Sequence, residues 1–162
     1  MDRTFGIMAL AGFTLSLAAH VAALAGIDVA AAVPLVWALH VGMFVVFIPF
    51  VFSCRKVLGR RSKLAQLRVI FPGWVLAVTA ALMVYALVNF LLFMMGTEGG
   101  NPSISGGKYV LLSHGRLIRE LTATEYTAFE ANVVRGFSGH WLIFYFVPFA
   151  YFMLRKKPRP AF

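Results

Sequence analysis

VIFPGWVLAVTAALMVYALVNFLLFMMGT, residues 69–97, contains no Asp, Glu, Lys or Arg. A bilayer core is about 30 Å thick and takes roughly 20 apolar residues to cross as a helix. This run is longer than one thickness, so a helix built from it tilts or projects into the interface. Three further stretches are equally free of charge: 4–27, 29–53 and 136–154, with Cys54 carrying the second to the membrane interface. Four runs of spanning length predict an all-α membrane protein with four transmembrane helices.

Composition agrees. Of 162 residues, 60% are hydrophobic and only 13% charged, and the mean hydropathy is +0.82. Too little charge is present to cover a soluble domain of this size in water. The four spans leave room for one bundle and one small appendage, so residues 1–162 read as a single membrane domain with 98–135 as a loop or cap.

The net charge of +9 resolves by position. Arg3, Arg55, Lys56, Arg60, Arg61, Lys63, Arg68, Arg155, Lys156, Lys157 and Arg159 flank the spans on one side, with Asp2 the sole acid among them. Lys108, Arg116, Arg119 and Arg135 stand on the other side with Asp28, Glu98, Glu120, Glu125 and Glu130. The balance is +10 against −1. This asymmetry predicts both termini in the cytoplasm and a multi-pass protein of a bacterial inner membrane. The basic segments then meet anionic lipid headgroups rather than nucleic acid. The first run is longer than a signal-peptide core and contains His20, so it is expected to be a retained span.

Local signals refine the plan. Gly12, Ser16 and His20 recur every four residues and share one face of the first helix, where small residues admit a close neighbour. Gly26-Ile-Asp28 predicts a tight turn. Pro34 falls in the first turn of the second span, where its missing N–H costs nothing. Pro49 is expected to bend that span. The basic connection 55–68 reads as a short surface helix, with Val57, Leu58, Leu64 and Leu67 toward the membrane. Pro148, in the fourth span, predicts a local distortion or a neighbour for the freed carbonyl.

Segment 98–135 is patterned. Residues 98–107 are rich in turn formers and read as flexible. Two strand-like hexads, 108–113 and 116–121, flank His114-Gly115 and predict a hairpin with Leu111 opposite Ile118 and Lys108 opposite Leu121. Thr122-Ala-Thr-Glu125 is a capping box. It predicts a helix over 123–134, with Tyr126, Phe129 and Val133 on one side. Gly136-Phe-Ser-Gly139 is expected to break that helix before the fourth span starts near Ser138.

The polar exceptions within the spans mark the candidate site. At 1.5 Å per residue, His20 and Asn89 each lie about 9 Å below the outer ends of their helices and His40 about 12 Å. His140 lies nearer the surface. Buried polar groups in hydrocarbon usually face the bundle interior, so His20, His40, His140 and Asn89 are expected to converge in its outer half. They can act structurally, through hydrogen bonds between helices. They can hold a cofactor, with His20 and His40 ligating haem or a transition metal and Met43, Met94 or Met95 as soft additions. They can also form a catalytic or proton-handling pocket for a quinone or lipid, with Arg135 or Glu130 nearby. His114 can occupy the turn or, if the hairpin folds down, complete this cluster.

Cys54 stands alone, so no intrachain disulfide or CxxC chemistry is available. No GxxxxGK[ST] or HExxH motif is present, and the spans lack a buried carboxylate. The resulting expectation is an accessory or interaction protein that uses 98–135 to recognise a membrane or periplasmic partner. A haem- or metal-binding redox protein and an enzyme acting on a lipid or quinone are the alternatives.

Overall fold

A computed structural model describes residues 2–58 and 64–156. The chain runs through α1 (Asp2–Leu24), α2 (Val29–Ala32), a 3₁₀ turn (Pro34–Trp37), α3 (Ala38–Leu58), α4 (Leu64–Ile70) and α5 (Gly73–Met95). Three strands follow: β1 (Asn101–Ser105), β2 (Lys108–Ser113) and β3 (Arg116–Glu120). Last come α6 (Ala123–Phe149) and a π-helical stretch, Ala150–Leu154. Four helical segments are long and apolar enough to cross a membrane: Asp2–Leu24, Pro34–Leu58, Gly73–Met95 and Ala123–Leu154. They form a four-helix bundle with a small sheet inserted between the third and fourth.

The helix α6 is the centre of this bundle. It is the most buried of the four and packs against α1, α3 and α5. Glycines set how closely its neighbours approach. A Cβ at Gly12 of α1 would lie 2.2 Å from the Tyr145 ring, and one at Gly42 of α3 would lie 2.6 Å from the Tyr145 hydroxyl oxygen. Tyr145 thus fills notches in two helices, and its hydroxyl donates to the Leu39 carbonyl at 2.8 Å. The face predicted from Gly12, Ser16 and His20 is buried here, together with Gly6, Ala9, Ala19 and Ala23.

Gly136 and Gly139 do not break α6. One helix runs unbroken through both. Its backbone bonds stay internal, as hydrocarbon demands, and the two glycines serve packing instead. A Cβ at Gly136 would meet the Phe93 ring at 2.5 Å, and one at Gly139 would meet Asn89 Nδ2 at 2.2 Å. Residues 123–135 belong to this helix but precede its uncharged run; they rise out of the apolar span with the sheet. Pro148 stands two residues before the π-helical stretch, a local distortion of the kind its missing N–H predicts. Of the surface helix expected over 55–68, residues 55–58 continue α3 and 64–68 belong to α4, where Leu67 packs against the Phe71 and Tyr151 cluster rather than facing outward; residues 59–63 lie outside the described residues.

The sheet has the order β1-β2-β3, antiparallel throughout. The predicted hairpin turn is present: His114 and Gly115 have φ of 50° and 79°, and Ser113 pairs with Arg116. Two features differ from expectation. The segment read as flexible contributes β1, whose Gly/Pro/Ser-rich sequence gains strand structure by pairing with β2. A β-bulge also sits beyond the turn, so Leu112 faces Leu117 but Leu111 faces Arg119. Ile118 is the extra residue and stays exposed, while Leu111 packs with Leu121 and Phe129. This small apolar cluster joins the sheet to the projecting turns of α6. The capping box forms as predicted: Glu125 Oε2 accepts from the Thr122 N–H at 2.7 Å, and the Thr122 hydroxyl oxygen accepts from the Glu125 N–H at 3.2 Å.

Candidate functional site

Each polar residue within the spans has a distinct environment. His20 is almost fully buried between α1, α5 and α6. The Ser138 hydroxyl donates to the Arg135 carbonyl at 3.2 Å, so its oxygen accepts from His20 Nδ1–H at 2.8 Å. On the other side of the ring, the Tyr85 hydroxyl donates to Nε2. Both nitrogens are therefore engaged. Ser138 and His20 have the atoms of a nucleophile–base pair, but Ser138 is 0% exposed and its proton points at backbone. No substrate reaches it in this packing.

Asn89 works similarly between α5 and α6. Its Nδ2 donates to the Arg135 carbonyl at 3.0 Å and to the Gly136 carbonyl at 3.4 Å. One turn toward the cap, Asn132 Nδ2 donates to the Phe93 carbonyl at 3.2 Å. These bonds tie two helices together where hydrocarbon offers no competing partner.

His40 and His140 differ from His20. Each uses only Nδ1. Trp141 Nε1–H donates to His40 Nδ1 at 3.0 Å, while His140 Nδ1 donates to the Gly136 carbonyl at 3.0 Å. Neither Nε2 has a hydrogen-bond partner among the described residues. Both rings line one cavity of about 260 Å³, walled by Phe90, Phe93, Phe137 and Phe144. His140 and Phe144 also line a larger apolar groove of about 610 Å³. Its floor is α6 and its walls are Phe47 of α3 and Thr79, Met83 and Leu87 of α5. The cavity and groove share His140 and Phe144 and so lie side by side on α6; His140 lines both, and His40 lines the cavity alone. A ligand pocket typically occupies 300–1,000 Å³ with a few placed polar groups.

The four predicted residues thus divide into two pairs. His40 and His140 come together; His20 and Asn89 are bonded into helix interfaces. Among the described residues, no three His, Cys, Asp or Glu side chains gather at metal-binding distance. Arg135 and Glu130 line neither cavity. Arg135 Nη2 donates to Asn132 Oδ1 at 2.8 Å, and its buried Nε has no partner. His114 is exposed in its turn. Cys54, a free thiol, packs beside the apolar cluster of Phe71, Val75 and Tyr151.

Five charges on the projecting part of the molecule are paired at its surface. Arg119 bridges Glu98 at 3.2 Å and Glu125 at 2.7 Å, and Lys108 meets Glu120 at 2.6 Å. The Thr122 N–H, then Arg119 and the Thr122 hydroxyl, hold the Glu125 carboxyl down to about 2. Burial pushes Glu130 up; the Tyr126 hydroxyl opposes this and the charge of Asp28 adds to it.

Sequence reasoning missed Ser138 and Trp141 as histidine partners. Ser138 sat within an expected helix break. Only the pairing of α6 with α1 and α3 reveals either role. Compared with known proteins, this chain matches no family model, no curated protein and no solved structure.

Proposed function

We propose that this multi-spanning membrane protein binds a lipid-soluble small molecule in the lateral groove between α3, α5 and α6. One observation carries the reading: two imidazoles, each with an uncommitted Nε2, line one cavity, and one of them, His140, also lines the adjacent apolar groove within the membrane-length part of the bundle. A groove at this depth is reached from the bilayer, so its occupant is an amphiphile with a compact polar end. Haem or metal ligation by His20 and His40 has less support, because His20 would have to give up a hydrogen bond to offer a nitrogen.

The division of charge supports an orientation with the sheet on the outer face of a bacterial inner membrane and both termini inside. In that orientation the imidazoles lie in the outer half of the bilayer. Exposed Ile104, Leu117 and Ile118 on the sheet favour a second reading, recognition of a protein partner through residues 98–135.

Native mass spectrometry of protein extracted in mild detergent tests the groove. Wild type should retain a lipid-soluble species, and Met83→Trp, which narrows the groove from its α5 wall at an exposed position, should lose it. Equal retention by both would remove the groove reading. Crosslinking from position 117 tests the second: capture of a specific membrane or periplasmic protein supports it, and capture of lipid alone overturns it.

A further inference from the structure

The partners of the two histidines fix which nitrogen carries the proton. A carbonyl only accepts, so the His140 Nδ1 that meets the Gly136 carbonyl is an N–H. In the neutral ring its Nε2 is then a bare lone pair. An indole N–H only donates, so the His40 Nδ1 that meets Trp141 Nε1 is the lone pair. In the neutral ring its Nε2 carries the hydrogen. Two identical side chains thus offer opposite functions to one cavity: His140 an acceptor, His40 a donor.

A ligand that satisfies both needs an O–H for His140 and a lone pair for His40. The walls narrow the choice further. Phe90, Phe93, Phe137 and Phe144 surround the polar pair, and aromatic rings favour a flat ring packed offset or edge-on against them. The cavity of about 260 Å³ adjoins the apolar groove of about 610 Å³ at His140 and Phe144, and the groove is where an apolar tail would lie. We infer that the site recognises a phenolic ring with an apolar tail, of the quinol class, and prefers the reduced quinol to the oxidised quinone. The quinol donates one hydroxyl proton in a hydrogen bond to His140 Nε2, and a quinol oxygen accepts from His40 Nε2–H. A quinone has carbonyl oxygens only. It satisfies His40 but sets an oxygen lone pair against that of His140, leaving a buried acceptor unpaired.

This inference rests on the groove reading, and the experiment separates the two. Binding is measured anaerobically, in detergent micelles and mildly alkaline buffer, by quenching of tryptophan fluorescence. The probes are a decyl-tailed benzoquinol, the matching quinone, the quinol dimethyl ether and an alkyl alcohol of similar length. Wild type should bind the quinol about tenfold more tightly than the quinone or the ether, the size of one net hydrogen bond. His140→Phe should remove that preference while still binding the ether. His40→Phe should weaken quinol and quinone alike. In ¹⁵N spectra, the unprotonated His140 Nε2 should shift on adding quinol and not on adding the ether, a readout independent of whether either variant folds well. Equal binding of quinol and quinone, or binding of the alcohol alone, overturns the quinol inference and leaves the groove reading standing. Failure of every probe to bind wild type overturns both.

Discussion

The two sides of α6 solve different problems with the same materials. Toward α1, Tyr145 fills the space above Gly12, and His20 spends both nitrogens on Ser138 and Tyr85. Toward the gap between α3 and α5, His140 spends one nitrogen on its own helix and leaves the other beside an open groove. The first face is filled, and its histidine has both nitrogens bonded; the second is unfilled, and its histidine has one nitrogen free. A histidine in hydrocarbon is expensive in either place. What separates a packing residue from a candidate ligand contact is therefore how many of its nitrogens are already in use.

The sharpest way to break this contrast is to damage the filled face. Tyr145→Ala should cost about 3–5 kcal/mol, as other large-to-small changes at buried aromatics do, and Gly12→Leu should be comparably harmful through overpacking. Both are measured by unfolding in mixed micelles. Loss below about 1 kcal/mol in Tyr145→Ala would mean that this interface is loosely packed. Next in size, His20→Ala removes the bonds to Ser138 and Tyr85 and leaves a cavity between three helices, and should cost about 1–3 kcal/mol. Gly139→Ala drives a methyl group into Asn89 and should cost a similar amount, about 1–3 kcal/mol.

The open face should respond in the opposite way. His140→Phe should change stability by less than about 1 kcal/mol, since it gives up one bond to an already bonded helix carbonyl, yet it should alter ligand retention. A change as large as that of His20→Ala would erase the distinction between the faces. The smallest effect belongs to the cap. The folded value of Glu125, about 2, lies below its ordinary 4.5, so its contribution is complete above pH 4.5 and disappears as pH falls through 2. Protection in the first turn of α6, taken relative to the intrinsic exchange rate at each pH, should fall over that window, and Glu125→Ala should show low protection at every pH.

The four spans were legible because exclusion of charge from hydrocarbon acts on each residue separately, and a run of such residues is visible without any neighbour. The capping box and the His114-Gly115 turn were legible for a related reason: each is settled within a few residues. The depth of His20, His40, Asn89 and His140 could also be counted along single helices. Their division into two pairs could not, because it depends on helix rotation and on what α6 places opposite. The strand at 101–105 was invisible for the same reason. Nothing in Asn-Pro-Ser-Ile-Ser favours extension until β2 lies alongside. Gly136 and Gly139 misled because a glycine that ends a helix and one that admits Phe93 or Asn89 are the same residue in a sequence.

The central position of α6 also constrains biosynthesis. Of the four spans it is the last to be made, yet α1, α3 and α5 have it as their principal partner. While the ribosome is still extending the chain, the first three helices wait in the bilayer with their notched faces turned to lipid. Gly12, Gly42 and Asn89 acquire their contacts, and His20 its bond to Ser138, when the fourth arrives. Assembly is thereby concentrated in one late event, and a fault in translating or inserting that single segment leaves the three earlier helices as substrates for membrane quality control.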